Sequence, residues 1–369
     1  MNFFCDKESL QNGINIVQKG VAAKTTMPIL EGILVEALDN KIKLTSNDLE
    51  IGIECYIDAS VNKTGSAVVE SKMFGEIIRK LPDSEIYIEL EKKGTFIIEC
   101  EGSLYKLSSM NPDEFPRLPD IKAEESVIIK QNVLREMIKQ TIFAVSTDEK
   151  RPIFTGCLIE LLDNNMNMVA VDGFRLSLRR HEYESNVNKF YAVIPGKTLN
   201  ELLKILQPND NNITISISKN QVLFEMEKCK IVSRLLDGEF LNYCASIPVE
   251  RETRIKINRI NLLSAFERVY LITREEKKYP VNVKIEENVL RIMCISTLGN
   301  AKEEMNIEND GKNIEIGFNP KYFIDALKAI NHEEVYVDFT TSMSPCVIKP
   351  LEGEEFVHMI LPVRIREDI

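Results

Sequence analysis

The chain carries a regular succession of apolar and polar patterns that predicts its secondary structure. Apolar residues at three- and four-residue spacing predict six amphipathic helices, two in each third of the chain. Their approximate ranges are 8–20, 71–81, 132–143, 196–206, 258–272 and 319–330. Runs in which apolar and polar residues alternate follow the second helix of each third, as is typical of antiparallel strands with one solvent-facing side. The pattern therefore predicts an α+β protein in which one order of elements recurs.

One block of the sequence occurs twice. Residues 27–48 and 151–172 have the same residue at nine of 22 positions without a gap, and these positions combine turn formers and apolar residues in one register. The identical pairs are Pro28/Pro152, Ile29/Ile153, Gly32/Gly156, Leu34/Leu158, Glu36/Glu160, Leu38/Leu162, Asp39/Asp163, Asn40/Asn164 and Asp48/Asp172. Pro280, Asn288, Leu290 and Ile292 indicate a more diverged third copy. We expect three similar domains, at residues 1–122, 123–250 and 251–369.

Composition excludes several classes of protein. No stretch approaches the run of apolar residues that a membrane span needs, and Asp6, Lys7 and Glu8 stand where a signal peptide would be apolar. We therefore expect a cytoplasmic protein with no membrane partner. The eight cysteines are scattered without a CxxC pair, and none of the three histidines has metal-ligand spacing to others. The sequence thus predicts neither a metal site nor a cofactor.

Three motifs resemble catalytic elements only superficially. Gly196-Lys197-Thr198 lacks the upstream glycine of a phosphate-binding loop and aligns with the predicted helix start at Ser71, so we interpret it as a helix start. Asp172-Gly173-Phe174 is not the Asp-Phe-Gly order of kinases. Cys157 with His181 lacks an orienting group, and Cys157 aligns with Ile33 in the middle of a predicted strand. No catalytic residue is predicted.

The distribution of charge points to a nucleic acid in spite of the acidic total. The chain has a formal net charge of -11, which by itself argues against phosphate binding. In each of six segments that include these helices, however, Lys and Arg outnumber Asp and Glu; the segments are 7–24, 72–80, 130–140, 197–204, 254–268 and 321–328. A basic helical surface on an acidic protein favours contact with phosphates without base reading. Because the helices lack aromatic residues interleaved with basic ones, duplex DNA is favoured over single strands.

Five phrases in order along the whole chain resemble the bacterial DNA polymerase III beta subunit, the sliding clamp family. They are TTMPILEGILVEA, VAVDGFRLSLRR, SRLLDGEFLNY, NPKYFIDAL and the C-terminal LPVRI. The resemblance implies three similar domains of the DNA clamp fold, with helices lining the inside, antiparallel sheets outside and two chains forming a six-domain ring. It implies a processivity factor without its own catalytic site, which encircles duplex DNA. Its partners would be a second copy, the polymerase III alpha subunit, the clamp loader and other proteins with a clamp-binding motif.

The resemblance also implies site residues. Lys24 and Arg151 match positions that face DNA in the family, and we expect the helix cations to face DNA as well, namely Lys72, Arg79, Lys80, Arg135, Lys139, Lys197, Lys204 and Lys321. A peptide-binding pocket would be lined by Phe154, Val171, Gly173, Phe174, Arg175, Leu176, Leu241, Met359, Leu361, Pro362, Val363 and Arg364. The dimer interface would include Tyr105, Leu107, Leu271 and Ile272.

The chain departs from the family pattern at three positions. Leu241 replaces a common proline, Ala245 stands where a basic residue can occur, and Asp148 replaces a neutral polar residue near Arg151. These departures bear on the preference of the pocket for peptides and on the DNA contact at Arg151. A different class of protein remains open from the sequence alone, namely a monomeric repeat scaffold that binds proteins without encircling DNA.

Overall fold

The computed structural model describes residues 1–22, 24–183, 190–273 and 280–365. Within these ranges the chain forms six α-helices and four sheets whose strands all pair antiparallel. The helices are α1 Lys7–Val17, α2 Ser71–Lys80, α3 Gln131–Lys139, α4 Gly196–Ile205, α5 Arg259–Thr273 and α6 Pro320–Ala329. The α+β class predicted from the sequence is confirmed.

The strands follow one another in three similar series. The first is β1 Asn2–Asp6, β2 Gly32–Leu38, β3 Lys41–Asn47, β4 Ile51–Asp58, β5 Ser60–Lys63, β6 Gly65–Glu70, β7 Glu85–Leu90, β8 Thr95–Cys100 and β9 Ser103–Ser108. The second is β10 Glu125–Lys130, β11 Gly156–Leu162, β12 Asn165–Val171, β13 Arg175–Glu182, β14 Tyr191–Pro195, β15 Asn212–Ile217, β16 Gln221–Glu225 and β17 Cys229–Arg234. The third is β18 Thr253–Asn258, β19 Val281–Glu286, β20 Val289–Ser296, β21 Gly299–Asn306, β22 Glu308–Gly311, β23 Ile314–Phe318, β24 Glu334–Phe339, β25 Cys346–Lys349 and β26 Phe356–Ile360.

Each third therefore contains a strand, a helix, four strands, a helix and three strands, and the first and third add β5 and β22. The duplicated block forms the same element twice, a short 3-10 turn followed by the hairpin β2–β3 or β11–β12. Close packing explains why both copies have glycine at the same position, Gly32 and Gly156. A Cβ on Gly32 would lie 2.4 Å from Val68 Cγ1, and one on Gly156 would lie 2.4 Å from the Ile194 carbonyl oxygen. Glycine lets the neighbouring strand approach at both places.

The chain divides into two compact units. The first comprises Met1–Asn132 and Asn200–Leu235. It contains a five-stranded sheet in the order β5-β1-β7-β8-β9 and an eight-stranded sheet in the order β10-β15-β16-β17-β4-β3-β2-β6. The eight-stranded sheet joins strands of the first and second series, because β4 pairs with β17 from Ile51 opposite Ser233 to Cys55 opposite Cys229.

The second unit comprises the described residues within Val133–Leu199 and Leu236–Ile369. Its nine-stranded sheet has the order β14-β11-β12-β13-β26-β25-β24-β18-β22, and its four-stranded sheet the order β21-β20-β19-β23. Here β13 pairs with β26, which joins the second and third series in the same way. Helices α5 and α6 cover this part of the core through Phe266 and Phe323, whose rings stack 4.3 Å apart.

Capping side chains fix the starts of α1, α2 and α6, and every helix except α5 ends earlier than the sequence pattern predicts. Asp6 caps α1 by accepting a hydrogen bond from the Ser9 amide at 2.8 Å. The predicted first helix reached residue 20, but the α-helix ends at Val17 and a 3-10 turn completes it. The third helix was predicted to reach 143. It ends at Lys139, and the Thr141 hydroxyl donates to the Met137 carbonyl oxygen just beyond that end.

Part of the charge that we assigned to helices belongs to a strand. Arg254 and Lys256 lie on β18, where Arg254 forms a two-pronged ion pair with Asp338 and Lys256 contacts Glu334 at 3.1 Å. Their charge is neutralised within the sheet. The excess of positive charge on the fifth helical segment is therefore smaller than the sequence count indicated, because neighbouring strands supply carboxylates that the segment itself does not contain.

Candidate docking site

A tight turn after β12 carries the centre of the predicted pocket. The Asp172 carboxylate accepts hydrogen bonds from the backbone amides of Phe174 at 2.9 Å and Arg175 at 3.1 Å. Between them Gly173 has a φ of 92°, a conformation that side chains other than glycine rarely adopt. Asp48 makes the equivalent turn in the first repeat by accepting from the Ile51 amide at 2.7 Å. The turn leaves the Phe174 side chain 55% exposed.

The C-terminal segment predicted to line the pocket lies against this turn. Strand β26 pairs with β13, and the Leu361 amide donates to the Phe174 carbonyl oxygen at 2.8 Å just after that pairing ends. Two residues on, the Val363 amide donates to the Gly317 carbonyl oxygen at 2.9 Å. A Cβ at Gly317 would lie 2.5 Å from the Val363 carbonyl oxygen, so this approach requires glycine. The segment is thus held on both sides.

A cluster of buried apolar side chains forms the floor of the site. Both strand series contribute to it: Val171 and Leu176 come from the turn region, while Met359 comes from β26. Phe154 and Leu241, also predicted for the pocket, pack on it and stay partly exposed. Leu361, Pro362 and Val363 are partly exposed as well. The structure therefore brings the predicted apolar residues together, with an accessible apolar rim around a buried apolar floor.

Arg175 holds this site together rather than projecting from it. Its guanidinium donates to the Asp172 carboxylate at 2.9 Å, to the Asp325 carboxylate at 2.7 Å and to the Phe143 carbonyl oxygen at 2.5 Å. It also lies 4.7 Å from the centre of the Tyr322 ring. Because two carboxylates flank its guanidinium, Arg175 itself presents little free positive charge. The Arg175 side chain is only 10% exposed.

Aromatic rings extend the site on two sides. Phe174 stacks on Tyr322 with ring centres 6.3 Å apart, and Phe154 packs edge-on against Phe240 at 5.8 Å. Burial, then the nearby Asp172 carboxylate, raises the pKa of the Tyr322 phenol, so it stays a neutral hydrogen-bonding group. Such rings offer broad contact area to a peptide side chain.

Sequence reasoning missed residues that position the site. Asp325 and Tyr322 stand in the phrase NPKYFIDAL and hold Arg175 from α6, yet a carboxylate or ring on a helix gives no signal of a partner in a distant strand. Phe143 contributes a backbone oxygen, which no sequence pattern reveals. Phe240 belongs to the same apolar cluster, and its place beside Leu241 was the available signal.

The predicted DNA-facing residues occupy two kinds of environment. Five of them are exposed on helices or in a loop: Lys24, Lys72, Arg79, Lys80 and Lys321. Lys197 is exposed too, at the start of α4, as the interpretation of Gly196-Lys197-Thr198 as a helix start predicted. Others contact carboxylates: Arg135 and Lys139 contact Glu136, and Lys204 contacts Glu201 at 2.7 Å.

Arg151 lies beside the docking site. Its guanidinium carbon is 5.6 Å from the Phe154 ring centre, its Nε is 3.4 Å from the Asp148 carboxylate, and its Nη atoms are 3.4 Å from the place of a Cβ on Gly173. The residue was predicted to face DNA by resemblance alone. Its position gives it a second candidate role at the rim of the pocket.

The predicted interface residues lie on or near strands that end a sheet within the described residues. Tyr105 and Leu107 are on β9, the last strand of the five-stranded sheet, and Tyr105 is exposed. In the second unit β21 ends the four-stranded sheet, and α5 ends beside it with Leu271 exposed and Ile272 partly packed in the core. Arg268 fixes that helix end to β21 through a two-pronged ion pair with Glu303.

The structure offers no support for the catalytic alternatives. Cys157 is fully buried on β11, and burial raises its pKa to about 12, so the thiol stays protonated at neutral pH. Among the described residues no group of three His, Cys, Asp or Glu is placed to hold a metal ion. In the same part of the chain no helix is long and apolar enough to cross a membrane.

A threefold series of strands and helices with fused antiparallel sheets and an apolar docking site defines a protein of the DNA clamp class. Comparison with known families agrees: the N-terminal, central and C-terminal domains of the DNA polymerase III beta subunit match residues 1–119, 128–242 and 245–364. The chain therefore belongs to the DNA polymerase III beta subunit family.

Similar proteins cover the whole chain. The beta sliding clamp of Halalkalibacterium halodurans is 35% identical over 378 residues, with 99% of this chain and 100% of that protein covered. The beta sliding clamp of Staphylococcus epidermidis is 34% identical over 374 residues and 99% of both chains. Among solved structures, the DNA polymerase sliding clamp from Bacillus subtilis superposes with a TM-score of 0.95 at 34% identity, covering 99% of this chain and all of that one. As a sliding clamp, the chain is a processivity subunit without catalytic activity of its own.

Proposed function

We propose that this chain closes with a second copy into a ring around duplex DNA and tethers partner proteins through the docking site at Phe174 and Leu361. The observation that carries the docking role is the exposed apolar rim on a rigid base. Phe174 is 55% exposed although its backbone is fixed by Asp172 and by Leu361. A preformed apolar site of this kind suits the apolar side chains of a short peptide, because little ordering cost accompanies binding.

The test of docking uses a fluorescent peptide that covers the clamp-binding segment of the polymerase III alpha subunit. Phe174→Asp and Leu361→Asp should each raise its Kd by at least tenfold in an anisotropy titration, because a charge replaces apolar contact area. Met343→Asp is the matched control, since Met343 is also exposed and lies in the same unit but outside the site. Unchanged affinity in both site variants would refute docking there, whatever the ring does.

The repeat itself supports the assembly of two copies. Strand β4 is the third strand after α1, and it pairs with β17, the last strand of the second series. In the same way β13 is the third strand after α3, and it pairs with β26, the last strand of the third series. By the same rule β21, the third strand after α5, should pair with β9, the last strand of the first series. Both strands are sheet edges in the described chain. Unpaired edges invite strand pairing with another chain. We infer that β21 of one copy pairs with β9 of the other, head to tail.

The repeat also predicts the register of that pairing. Ile51 is the first residue of β4 and faces Ser233, the fifth of β17; Arg175 is the first of β13 and faces Ile360, the fifth of β26. The same rule sets Gly299 opposite Leu107 and Ala301 opposite Tyr105 across the interface. Leu271 and Ile272 at the end of α5 would then lie near Tyr105, as the family resemblance implied.

Cysteine cross-linking tests this register. In a Cys244→Ser background, which removes the exposed thiol, Tyr105→Cys with Ala301→Cys should form a covalent dimer under mild oxidation. The pair Tyr105→Cys with Met305→Cys is the control, because those positions are out of register. A sedimentation mass of one chain at micromolar concentration would contradict the dimer and favour the alternative, a monomeric scaffold that binds proteins without encircling DNA.

We propose further that DNA lies against the exposed cations on the helices, led by Lys24, Lys72, Arg79 and Lys80. Helix α2 supports this role because its buried face is apolar and its outer face carries Lys72, Arg79 and Lys80. Sequence-independent contact of this kind positions a ring without fixing it to a site. The domain limits 1–122, 123–250 and 251–369 remain predictions, and a cytoplasmic location is proposed because a bacterial chromosome lies there.

A further inference from the structure

Two buried thiols meet where the first and second strand series join. Cys55 on β4 and Cys229 on β17 are direct partners in the antiparallel ladder, and their sulfur atoms lie 3.1 Å apart. Both side chains are buried, with exposures of 4% and 7%. Neither thiol has a part in the docking site or in the proposed DNA and dimer surfaces. Cys55 lies in the N-terminal family domain, matched at residues 1–119, and Cys229 lies in the central family domain, matched at residues 128–242.

The backbone geometry at this pair suits a disulfide. The Tyr56 amide donates to the Lys228 carbonyl oxygen at 2.8 Å, which makes residues 56 and 228 a hydrogen-bonded pair. Cys55 and Cys229 are therefore the neighbouring non-hydrogen-bonded pair, whose Cα atoms lie about 4.5 Å apart in antiparallel sheets. Disulfides span Cα separations of about 4.4 to 6.8 Å, and the sulfurs need to move only about 1 Å closer. The bond can form without rearranging the sheet.

We propose that Cys55 and Cys229 are a redox-responsive pair that hydrogen peroxide oxidises to a disulfide, which covalently joins β4 to β17. The bond would connect residues 174 positions apart in sequence and would tie the N-terminal family domain to the central one. Separation of these two domains along this pair of strands would then be prevented while the bond exists.

The hydrogen bond between the thiols assigns the chemical roles. Cys229 donates to Cys55, which lowers the pKa of Cys55, and the nearby Lys228 ammonium acts in the same direction. The same hydrogen bond raises the pKa of Cys229. Cys55 is therefore the nucleophile and Cys229 the resolving thiol.

The reaction balances with peroxide as the oxidant. The Cys55 thiolate attacks one peroxide oxygen, the O–O bond breaks, and the departing hydroxide takes up a proton to give water. Cys55 is then a sulfenic acid. The Cys229 sulfur attacks the Cys55 sulfur, the S–O bond breaks, and a second water leaves with the Cys229 proton. Two thiols and one peroxide thus give one disulfide and two waters, and two electrons pass from sulfur to oxygen.

Thiol counting on the full-length protein tests the proposal. With Cys244→Ser as background, seven cysteines remain. After peroxide treatment of the native protein, removal of peroxide, denaturation and alkylation, we expect five labelled thiols and a peptide map that links Cys55 to Cys229. Seven labelled thiols, or a disulfide between any other cysteines, would overturn the proposal. Cys157 serves as an internal control, since it is buried without a thiol partner in the ladder and should stay alkylatable.

Single variants test the roles of the two sulfurs. In Cys229→Ala the resolving thiol is absent, so a sulfenic-acid probe such as dimedone should label Cys55 after peroxide treatment. In Cys55→Ala the same probe should label Cys229 at least several-fold less than it labels Cys55 in Cys229→Ala. Preferential labelling of Cys229 would overturn the assignment of Cys55 as nucleophile. Should either variant fold poorly, the thiol count on the unsubstituted pair decides the proposal without it.

Discussion

Replacing Arg175 by methionine tests whether the docking site is held by one buried ionic network. Methionine keeps much of the side-chain volume but removes the guanidinium that joins Asp172, Asp325 and the Phe143 carbonyl oxygen. The two carboxylates would then face each other across a largely buried space, since their side chains are only 14% and 24% exposed. Loss of one partner of a buried ion pair leaves uncompensated charge.

The expected loss in free energy of unfolding follows from the burial of the ion pairs of Arg175. Breaking a buried ion pair costs about 3 to 5 kcal/mol, and the partial exposure of Asp325 places this case at the lower end, about 3 kcal/mol. With urea dependence of about 2 kcal/mol per molar, the unfolding midpoint of the affected unit should fall by about 1 to 1.5 M. Circular dichroism of the full-length protein in urea measures this shift.

Arg180→Met is the matched control for that measurement. Arg180 also pairs with a carboxylate at 2.5 Å, but Glu354 is 81% exposed, and such surface pairs contribute at most about 1 kcal/mol. Adding Asp325→Asn to Arg175→Met should recover part of the loss, because it removes one of the stranded charges. If Arg175→Met unfolds at the same urea concentration as Arg180→Met, the ionic network does not stabilise the site.

Three further predictions concern other parts of the chain. Burial lowers the pKa of His358 to about 3, below the roughly 6.5 of an unfolded histidine. The contribution of His358 to the free energy of unfolding is therefore complete above pH 6.5 and is lost as pH falls toward 3, by up to about 1.4 kcal/mol per pH unit. His358→Gln should flatten this part of a stability–pH curve. Gly156→Ala should destabilise by about 1 to 3 kcal/mol in thermal unfolding, because its Cβ would lie 2.4 Å from a backbone oxygen, whereas Gly102→Ala, with open space around it, should be neutral. Arg79→Glu with Lys80→Glu should shorten residence on DNA at low salt several-fold, measured by single-molecule imaging, while Lys312→Glu, just after β22, should not. Equal effects would show that α2 does not face DNA.

Local signals predicted much of the fold. Apolar spacing located all six helices, and the duplicated block correctly marked a recurring hairpin, because turns and amphipathic faces depend on residues close in sequence. The helix ends were less well predicted. Thr141, whose hydroxyl bonds back to the helix, follows the early end of α3, and such competition between side chain and backbone does not alter the apolar pattern.

Long-range pairing could not be predicted from pattern alone. The strand pairs β4–β17 and β13–β26 join segments from different thirds, and alternation in each strand is equally compatible with other partners. The same limit applies to the site. Resemblance selected Phe174 and Arg175, but Asp325, 150 residues away, and the Phe143 carbonyl oxygen entered only through the folded chain. The charge at Arg254 was likewise neutralised by Asp338, a residue of another strand.

The most direct test of the central claim, that the protein encircles DNA as a ring, compares its retention on circular DNA with its retention on the same DNA after linearisation. The protein is loaded onto nicked circular duplex DNA with a clamp loader and ATP, freed of unbound protein by gel filtration, and the DNA is then cut once by a restriction enzyme. A ring that encircles DNA should stay with the circle at high salt and leave within minutes of linearisation. Retention on the linear DNA, or no retention on the circle, would contradict the account.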